Sequence, residues 1–144
     1  MGSVIKDLTF WEGKEAIVAD YYRGEGWEVR ISSRWAILDF LITKWKKQMF
    51  LELKTRRCKS LTYPTTMIGA NKKAEAIMKW DKEWIETRFL FLFEDWLFEL
   101  NPFTSLPIYE RKLWRWDRWD IDKKKLYLYY NISDLCLLTT TLKE

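Results

Sequence analysis

Two neighbouring runs of residues predict the centre of the fold: Ala36-Ile37-Leu38-Asp39-Phe40-Leu41-Ile42-Thr43 and Met49-Phe50-Leu51-Glu52-Leu53-Lys54-Thr55. The first run is nearly all apolar, as is typical of a strand that is covered on both sides, and the second is expected to be another buried strand. The polar segment from Lys44 to Gln48 lies between them and is short enough for a tight turn. The sequence therefore predicts an antiparallel hairpin at the centre of a sheet.

The few charges within this hairpin are its most informative feature. Asp39 is the only charged residue of the first run, and burial of a lone carboxylate is costly unless something compensates it. In the second run, Glu52 and Lys54 are two residues apart, and side chains with this spacing lie on the same face of a strand. Antiparallel pairing can place Asp39 beside Glu52 on that face. Three ionisable groups are thus expected to converge.

Two neighbouring carboxylates repel each other and attract a divalent cation, and oxygen ligands favour Mg²⁺ or Mn²⁺. A lysine beside such a metal can hold the attacking water and neutralise charge that develops on a scissile phosphate. The alternative is an ordinary ion pair, in which Asp39 bridges to Lys54 while Glu52 faces solvent beside Arg56. We favour the metal site, because a buried and isolated acid is more typical of a functional position.

The remaining chain predicts two helices and further strands around the hairpin. The first helix is expected to begin at Asp7 or Thr9 and the second at Asn71, which are residues that favour helix N-termini. The expected helices run to about Arg23 and about Ile85, the other expected strands are Trp27–Ile31, Arg88–Glu94, Leu97–Leu100 and Leu126–Tyr130, and Arg57–Gly69 is expected to be a loop. The order predicts one domain over residues 1–144, of the α/β (α+β) class, with a central mixed β-sheet flanked by helices.

Composition excludes several classes of enzyme. The 144 residues are 48% hydrophobic and 32% charged, which fits one folded domain. Histidine is absent, so Ser-His-Asp and Cys-His catalysis, His-ligated zinc and His-dependent nucleases are all excluded. Cys58 and Cys136 lie far apart and are expected to be free thiols in a reducing, cytoplasmic compartment. No apolar run approaches the roughly 20 residues of a membrane span.

Charge and aromatic content favour an anionic partner. The net charge is +4, and seven cationic side chains between Lys44 and Lys59 surround a single acid, Glu52. Ten Trp residues exceed what a small core holds, so some are expected at the surface or in a groove. The segment from Arg111 to Asp120 interleaves Trp with Arg, which suits stacking on bases but equally suits a strand packed on the core. We favour packing of this segment in the core or in an interface.

The arrangement of Asp39 followed by Glu52-Leu53-Lys54 resembles the signature of the PD-(D/E)XK nuclease superfamily, with Leu38 at the nominal proline position. The resemblance covers residues 9 to 85 and implies a restriction-endonuclease-like fold. It implies a Mg²⁺- or Mn²⁺-dependent deoxyribonuclease, such as a structure-selective or Holliday-junction-resolving endonuclease acting in DNA recombination. The stretches Glu52–Cys58 and Tyr63–Ile68 also look like those of small phage-encoded members, which would act in the host cytoplasm.

The resemblance also implies roles for individual residues. Asp39 and Glu52 would bind the metal, with the Leu53 carbonyl and Glu15 of the first helix as further ligands, and Lys54 would position the water. The expected nucleic-acid contacts are Arg56, Arg57, Lys59, Tyr63 and Lys72. DNA is the expected partner, and a homodimer is compatible with the aromatic excess. The rival reading is a catalytically inactive protein of the same fold that binds nucleic acid or another protein.

Overall fold

The structure is a computed structural model that describes residues 2–34, 37–114 and 124–140, while the side chains at 2–12, 32–34, 37–39, 114 and 124 lie outside the described part. Within these ranges the chain forms two α-helices, nine strands and one short 3-10 turn. The helices are α1 (Gly2–Gly24) and α2 (Ala70–Glu83), and the strands are β1 (Glu28–Arg34), β2 (Ile37–Lys44), β3 (Lys47–Thr55), β4 (Thr65–Gly69), β5 (Glu86–Leu92), β6 (Trp96–Leu100), β7 (Tyr109–Trp114), β8 (Lys124–Asn131) and β9 (Cys136–Thr140).

Six strands form the main sheet, in the order β1-β2-β3-β5-β6-β9. The β3–β5 pair is parallel, and every other pair in this sheet is antiparallel. The long connection that parallel neighbours need runs from β3 through β4 and α2 to β5, whereas the antiparallel hairpins need only a tight turn. The predicted α+β class, with a mixed sheet flanked by helices, is confirmed, as is the predicted β2–β3 hairpin.

The two faces of this sheet bury different side chains. On the face that we call the α1 face, Leu51 and Leu53 pack with Val18 and Tyr22 of α1. Phe91 lies on the opposite face, the α2 face, in a cluster with residues of α2 and of a second sheet. Successive residues of a strand point to opposite faces, so Glu52 and Lys54 belong to the α2 face. The apolar alternation in β3 therefore directs its two charges away from α1.

A second sheet, in the order β4-β8-β7, covers part of the α2 face. Tyr130 of β8 and Ile68 of β4 are almost fully buried there, in the same cluster as Phe91. Residues 65–69, expected to belong to a loop, form β4, so that prediction is wrong. Strand β9 was also not expected from the sequence. Both strands are only five residues long and are held by distant partners, which local sequence patterns do not reveal.

The helix ends differ from the expected ones. Helix α1 begins at Gly2 rather than at Asp7 or Thr9, because no proline or glycine between Ser3 and Leu8 interrupts a helix. Asn71 does not cap α2, whose N-cap is Gly69 with no side-chain capping hydrogen bond. None of the described helices is long and apolar enough to cross a membrane, and both cysteines are free. The question of Trp packing between 115 and 120 lies outside the described residues.

Candidate active site

The β2–β3 hairpin sets the geometry of the candidate site through its register. Asp39 and Glu52 are directly opposite one another in the antiparallel pair, and opposite residues of such a pair share a face of the sheet. The described ladder between β2 and β3 ends at this pair, while β3 continues beside β5 as far as Thr55. The two strands of the hairpin thus stop pairing where the expected metal ligands stand. The Asp39 side chain lies outside the described part.

The Glu52 carboxylate lies between two ammonium groups. Its Oε1 is 3.3 Å from Lys54 Nζ and 3.5 Å from Lys72 Nζ, and its side chain is only 13% exposed. Lys72 also lies 3.7 Å from a carboxylate oxygen of Glu75, one turn further along α2. Within the described residues, Glu52 Oε2 has no hydrogen bond or ion pair. One oxygen of Glu52 is therefore neutralised by lysines and the other is open to a cation.

This donor set fits a hard divalent cation. Glu52 Oε2 and the position of Asp39 opposite it supply two carboxylates, the ligand type that Mg²⁺ and Mn²⁺ prefer. Leu53 buries its side chain in the α1 core, and its backbone lies just past the last pair of the β2–β3 ladder. Among the side chains that the structure describes, no three Asp, Glu or Cys side chains converge, so a complete ligand shell needs Asp39.

Arg56 is a half-buried cation on the same face, two residues beyond Lys54. Its Nη2 donates to the Met67 carbonyl at 3.0 Å and its Nη1 to the Thr55 carbonyl at 3.3 Å. The guanidinium also lies 5.5 Å from the centre of the Phe91 ring, and no described carboxylate pairs with it. Burial lowers the pKa of Arg56 below its usual value. A half-buried cation without a described acidic partner favours binding of an anion.

A cavity of about 180 Å³ opens beside this guanidinium. Four basic side chains and no acidic side chain line it within the described part: Lys54, Arg56, Lys72 and Lys125. The start of α2 forms another part of the wall, and its free N–H groups favour anions. Tyr127 of β8 completes the wall opposite β3. The cavity adjoins the Glu52 carboxylate through Lys54 and Lys72, so an anion held there lies next to the expected metal ligands.

Glu15 lies on α1, one helical turn before Val18 on the stripe that faces the sheet. That stripe covers the α1 face, whereas Glu52 belongs to the α2 face. No described hydrogen bond or ion pair joins Glu15 to Glu52 or Lys54. Asp20, a second acid of this helix, is mostly exposed and pairs with Arg23 at 3.9 Å. The role of Glu15 as a metal ligand stays a prediction.

The five residues expected to contact nucleic acid divide into two groups. Arg56 and Lys72 line the basic cavity, whereas Arg57, Lys59 and Tyr63 belong to the loop between β3 and β4 and do not line it. This loop is fixed to the β5–β6 turn, because the backbone N–H and the hydroxyl of Ser60 donate to the Asp95 carboxylate at 2.9 and 3.0 Å. The three loop residues are exposed on a fixed segment.

Two residues of this site were not expected from the sequence. Lys125 and Tyr127 come from β8, which reaches the cavity only because it pairs with β4 about 60 residues earlier in the chain. No local pattern around Lys125 signals that pairing. Comparison with known protein families, with curated proteins and with solved structures finds no match to this chain. The functional assignment therefore rests on the geometry of the site.

Proposed function

We propose that this protein is a metal-dependent nuclease that hydrolyses phosphodiester bonds of DNA. The register that sets Asp39 opposite Glu52, at the point where the β2–β3 ladder ends and within reach of Lys54, carries the proposal. Asp39 and Glu52 would hold Mg²⁺ or Mn²⁺, with the Leu53 carbonyl and Glu15 as further candidate ligands. When bound, the metal supplies Lewis acidity and lowers the pKa of a coordinated water.

The remaining groups of the site suit the substrate. Lys54 neutralises charge and orients the attacking water beside Glu52, from which its Nζ is 3.3 Å away. Arg56 and Lys72 hold phosphate oxygens from the wall of the cavity, where Arg56 lacks a described carboxylate partner. Fixed cations around a reacting phosphate need no reorganisation during the reaction, which is why they lower the barrier.

The test is cleavage of DNA in the presence of Mg²⁺ or Mn²⁺, with supercoiled, single-stranded and four-way branched substrates compared side by side. Asp39→Ala and Lys54→Ala are each expected to lower the rate by about 100-fold or more, because each removes a group that acts in the transition state. Lys112→Ala is the matched control, since Lys112 is an exposed lysine on β7 outside the site. It is expected to keep the parent rate.

Equal rates for the parent, Asp39→Ala and Lys54→Ala would contradict the proposal. Circular dichroism of each variant checks that a lost rate does not reflect a lost fold. Calorimetry with Mn²⁺ adds a readout that does not require turnover. We expect binding by the parent protein and its loss in Asp39→Ala and Glu52→Ala.

One observation favours a second candidate, a protein of the same fold that binds nucleic acid without cleaving it. Glu52 already has two ammonium partners, and such a cluster is stable without a metal. In that case Mn²⁺ would not bind in an Asp39-dependent manner, while DNA affinity would still depend on Arg56 and Lys72. The calorimetry and the cleavage assay together separate the two candidates.

A further inference from the structure

A second concave surface lies at the hairpin end of the sheet, away from Glu52. It encloses about 710 Å³ and is called the tryptophan groove below. Strands rise about 3.3 Å per residue, so Lys47 at its rim and Lys54 in the candidate active site are about 23 Å apart along β3. The groove is lined by Trp27, Lys44, Trp45, Lys46, Lys47, Gln48, Trp80, Trp84 and Glu86. Four of the nine lining residues are tryptophans.

Two of these tryptophans occupy backbone positions that glycine normally takes. Trp45 has φ 58° and stands in the two-residue turn between β2 and β3, where Gly or Asn is favoured. Trp84 has φ 59° and is the C-cap of α2, another site at which glycine prevails. Left-handed conformations are unfavourable for bulky residues and cluster at functional sites. Trp45 and Trp84 are the only residues of the described chain, apart from glycine, with a positive φ. Both of them line this groove.

The rings of Trp45 and Trp84 are exposed, and neighbouring side chains contact those of Trp84 and Trp27. Trp45 is 94% exposed and Trp84 is 76% exposed. Trp80 lies against Trp84, with ring centres 5.4 Å apart, and against Phe103, with ring centres 6.3 Å apart. Lys44 Nζ lies 5.6 Å from the Trp27 ring and donates to the Glu25 carbonyl at 2.8 Å. The groove thus offers exposed aromatic faces, and contact with Trp80 sets the position of the Trp84 ring before any ligand arrives.

The charge of the groove is positive. Three lysines line it, and Glu86, the only described acid among its lining residues, is paired with Arg88 at 2.8 Å. Lys46 and Lys47 form no described ion pair and are exposed. Aromatic faces beside unpaired cations suit a ligand that has both stacking rings and negative charges.

We propose that the tryptophan groove binds an unpaired nucleic-acid strand, with bases stacked on Trp45 and Trp84 and phosphates held by Lys46 and Lys47. Unpaired bases expose their faces for stacking, and aromatic residues in a basic groove are the usual means of binding them. A second copy of this chain fits less well, because a two-fold interface sets the same lysines against each other. A membrane surface fits less well because the rings line a concavity.

The test measures binding of a fluorescently labelled oligothymidylate by anisotropy in EDTA, so that no cleavage contributes. The variant carrying Trp45→Gly and Trp84→Gly is expected to bind more weakly, by about fivefold or more for each ring. Glycine is favoured at both positions, so this variant is expected to melt within a few degrees of the parent. Leu106→Ala, at a residue 83% exposed outside the groove, is the matched control and is expected to bind like the parent.

Two further measurements define the ligand. Lys46→Gln and Lys47→Gln should each lower the slope of log affinity against log salt by about 0.7, the value for one contact to a single strand. Lys112→Gln is their control. The unpaired strand should bind more tightly than a blunt duplex of the same length, because bases in a duplex already stack on each other.

Unchanged affinity of the double glycine variant for the strand, or equal affinity of the parent for strand and duplex, would overturn this proposal. It would also be overturned if the protein did not bind the strand but formed a dimer that the glycine substitutions dissociate. Binding to anionic vesicles alone would overturn it as well. The proposal does not rest on hydrolysis. A protein that binds the strand through this groove but fails the cleavage test upholds it and contradicts the nuclease alone.

Discussion

Among the described side chains, the α1 face of the main sheet pairs its charges, whereas the α2 face has more cations than acids. On the α1 face, Arg88 lies 2.8 Å from a Glu86 oxygen and 3.3 Å from Glu99 Oε1, and the Tyr22 hydroxyl donates to Glu99 Oε2 at 2.8 Å. On the α2 face, Glu52 meets two lysines while Arg56 has no described acidic partner. The first arrangement is closed, and the second is open to an additional anion.

The difference shows that one strand, β3, contributes both to the core and to the candidate active site, from opposite faces. Alternate residues of β3 build the core on one side and the candidate chemistry on the other, so a change on one face need not disturb the other. A balanced network stabilises the fold, whereas unbalanced cations near a carboxylate favour binding of a ligand. This separation can be tested by changing neighbouring positions on each face.

Leu51→Ala is expected to have the largest effect on stability. Leu51 is 1% exposed in the core cluster of the α1 face, and deletion of such a side chain lowers the free energy of unfolding by about 2–5 kcal/mol. Urea denaturation measures this loss, with Leu106→Ala as the exposed control. Below the unfolding transition, Mn²⁺ affinity should stay at the parent value. A changed affinity in the folded variant would show that the two faces are not separate.

Tyr22→Phe is expected to have a moderate effect that depends on pH. It removes the hydrogen bond to Glu99, which should lower the free energy of unfolding by about 1–2 kcal/mol at neutral pH. Burial, and then the Glu99 charge, raise the pKa of Tyr22 above its ordinary value of 10.0. As pH rises past about 10, the unfolded chain therefore loses this proton first.

The stability that the Tyr22 proton contributes is thus fully present below the ordinary tyrosine pKa and is lost above it, with a slope of up to about 1.4 kcal/mol per pH unit. Denaturation curves across the alkaline range should show a shallower fall for Tyr22→Phe than for the parent. Parallel curves for the two proteins would contradict the role given to Tyr22 in the balanced network.

Arg56→Gln, on the α2 face, is expected to have the smallest effect, and that effect is on the free energy of DNA binding. Each phosphate contact to duplex DNA contributes about 0.9 to the slope of log affinity against log salt, so this change should lower the slope by about one and weaken binding by about tenfold at most at moderate salt. Anisotropy with a labelled duplex in EDTA measures both, with Lys112→Gln as the control. An unchanged slope would exclude Arg56 as a phosphate contact.

Local sequence predicted the centre of the molecule well. The hairpin register follows from two apolar runs and a short turn, and the shared face of Glu52 and Lys54 follows from their spacing. The same alternation extends to Arg56, and its burial could have been inferred from that spacing. Local patterns suffice here because the pairing partners are neighbours in the chain.

The parts that sequence reasoning missed depend on distant contacts or on backbone conformation. Nothing near Thr65 signals pairing with Asn131, so the second sheet and the wall that it gives to the cavity were not expected. The tryptophan groove did leave one signal. Trp45 stands in a tight turn between two strands, where glycine or asparagine is favoured, and a bulky residue at such a position is a reason to look for a ligand.

The basic cavity takes one wall from β3, β4 and α2 and the other from β8, which begins at Lys124. During synthesis the hairpin with Glu52 leaves the ribosome long before the second wall exists, since chains fold in the order in which they emerge. We therefore expect the nascent chain to remain unable to bind a phosphate in this cavity until β8 has been made. The order of synthesis itself would keep an unfinished molecule harmless to the nucleic acid around it.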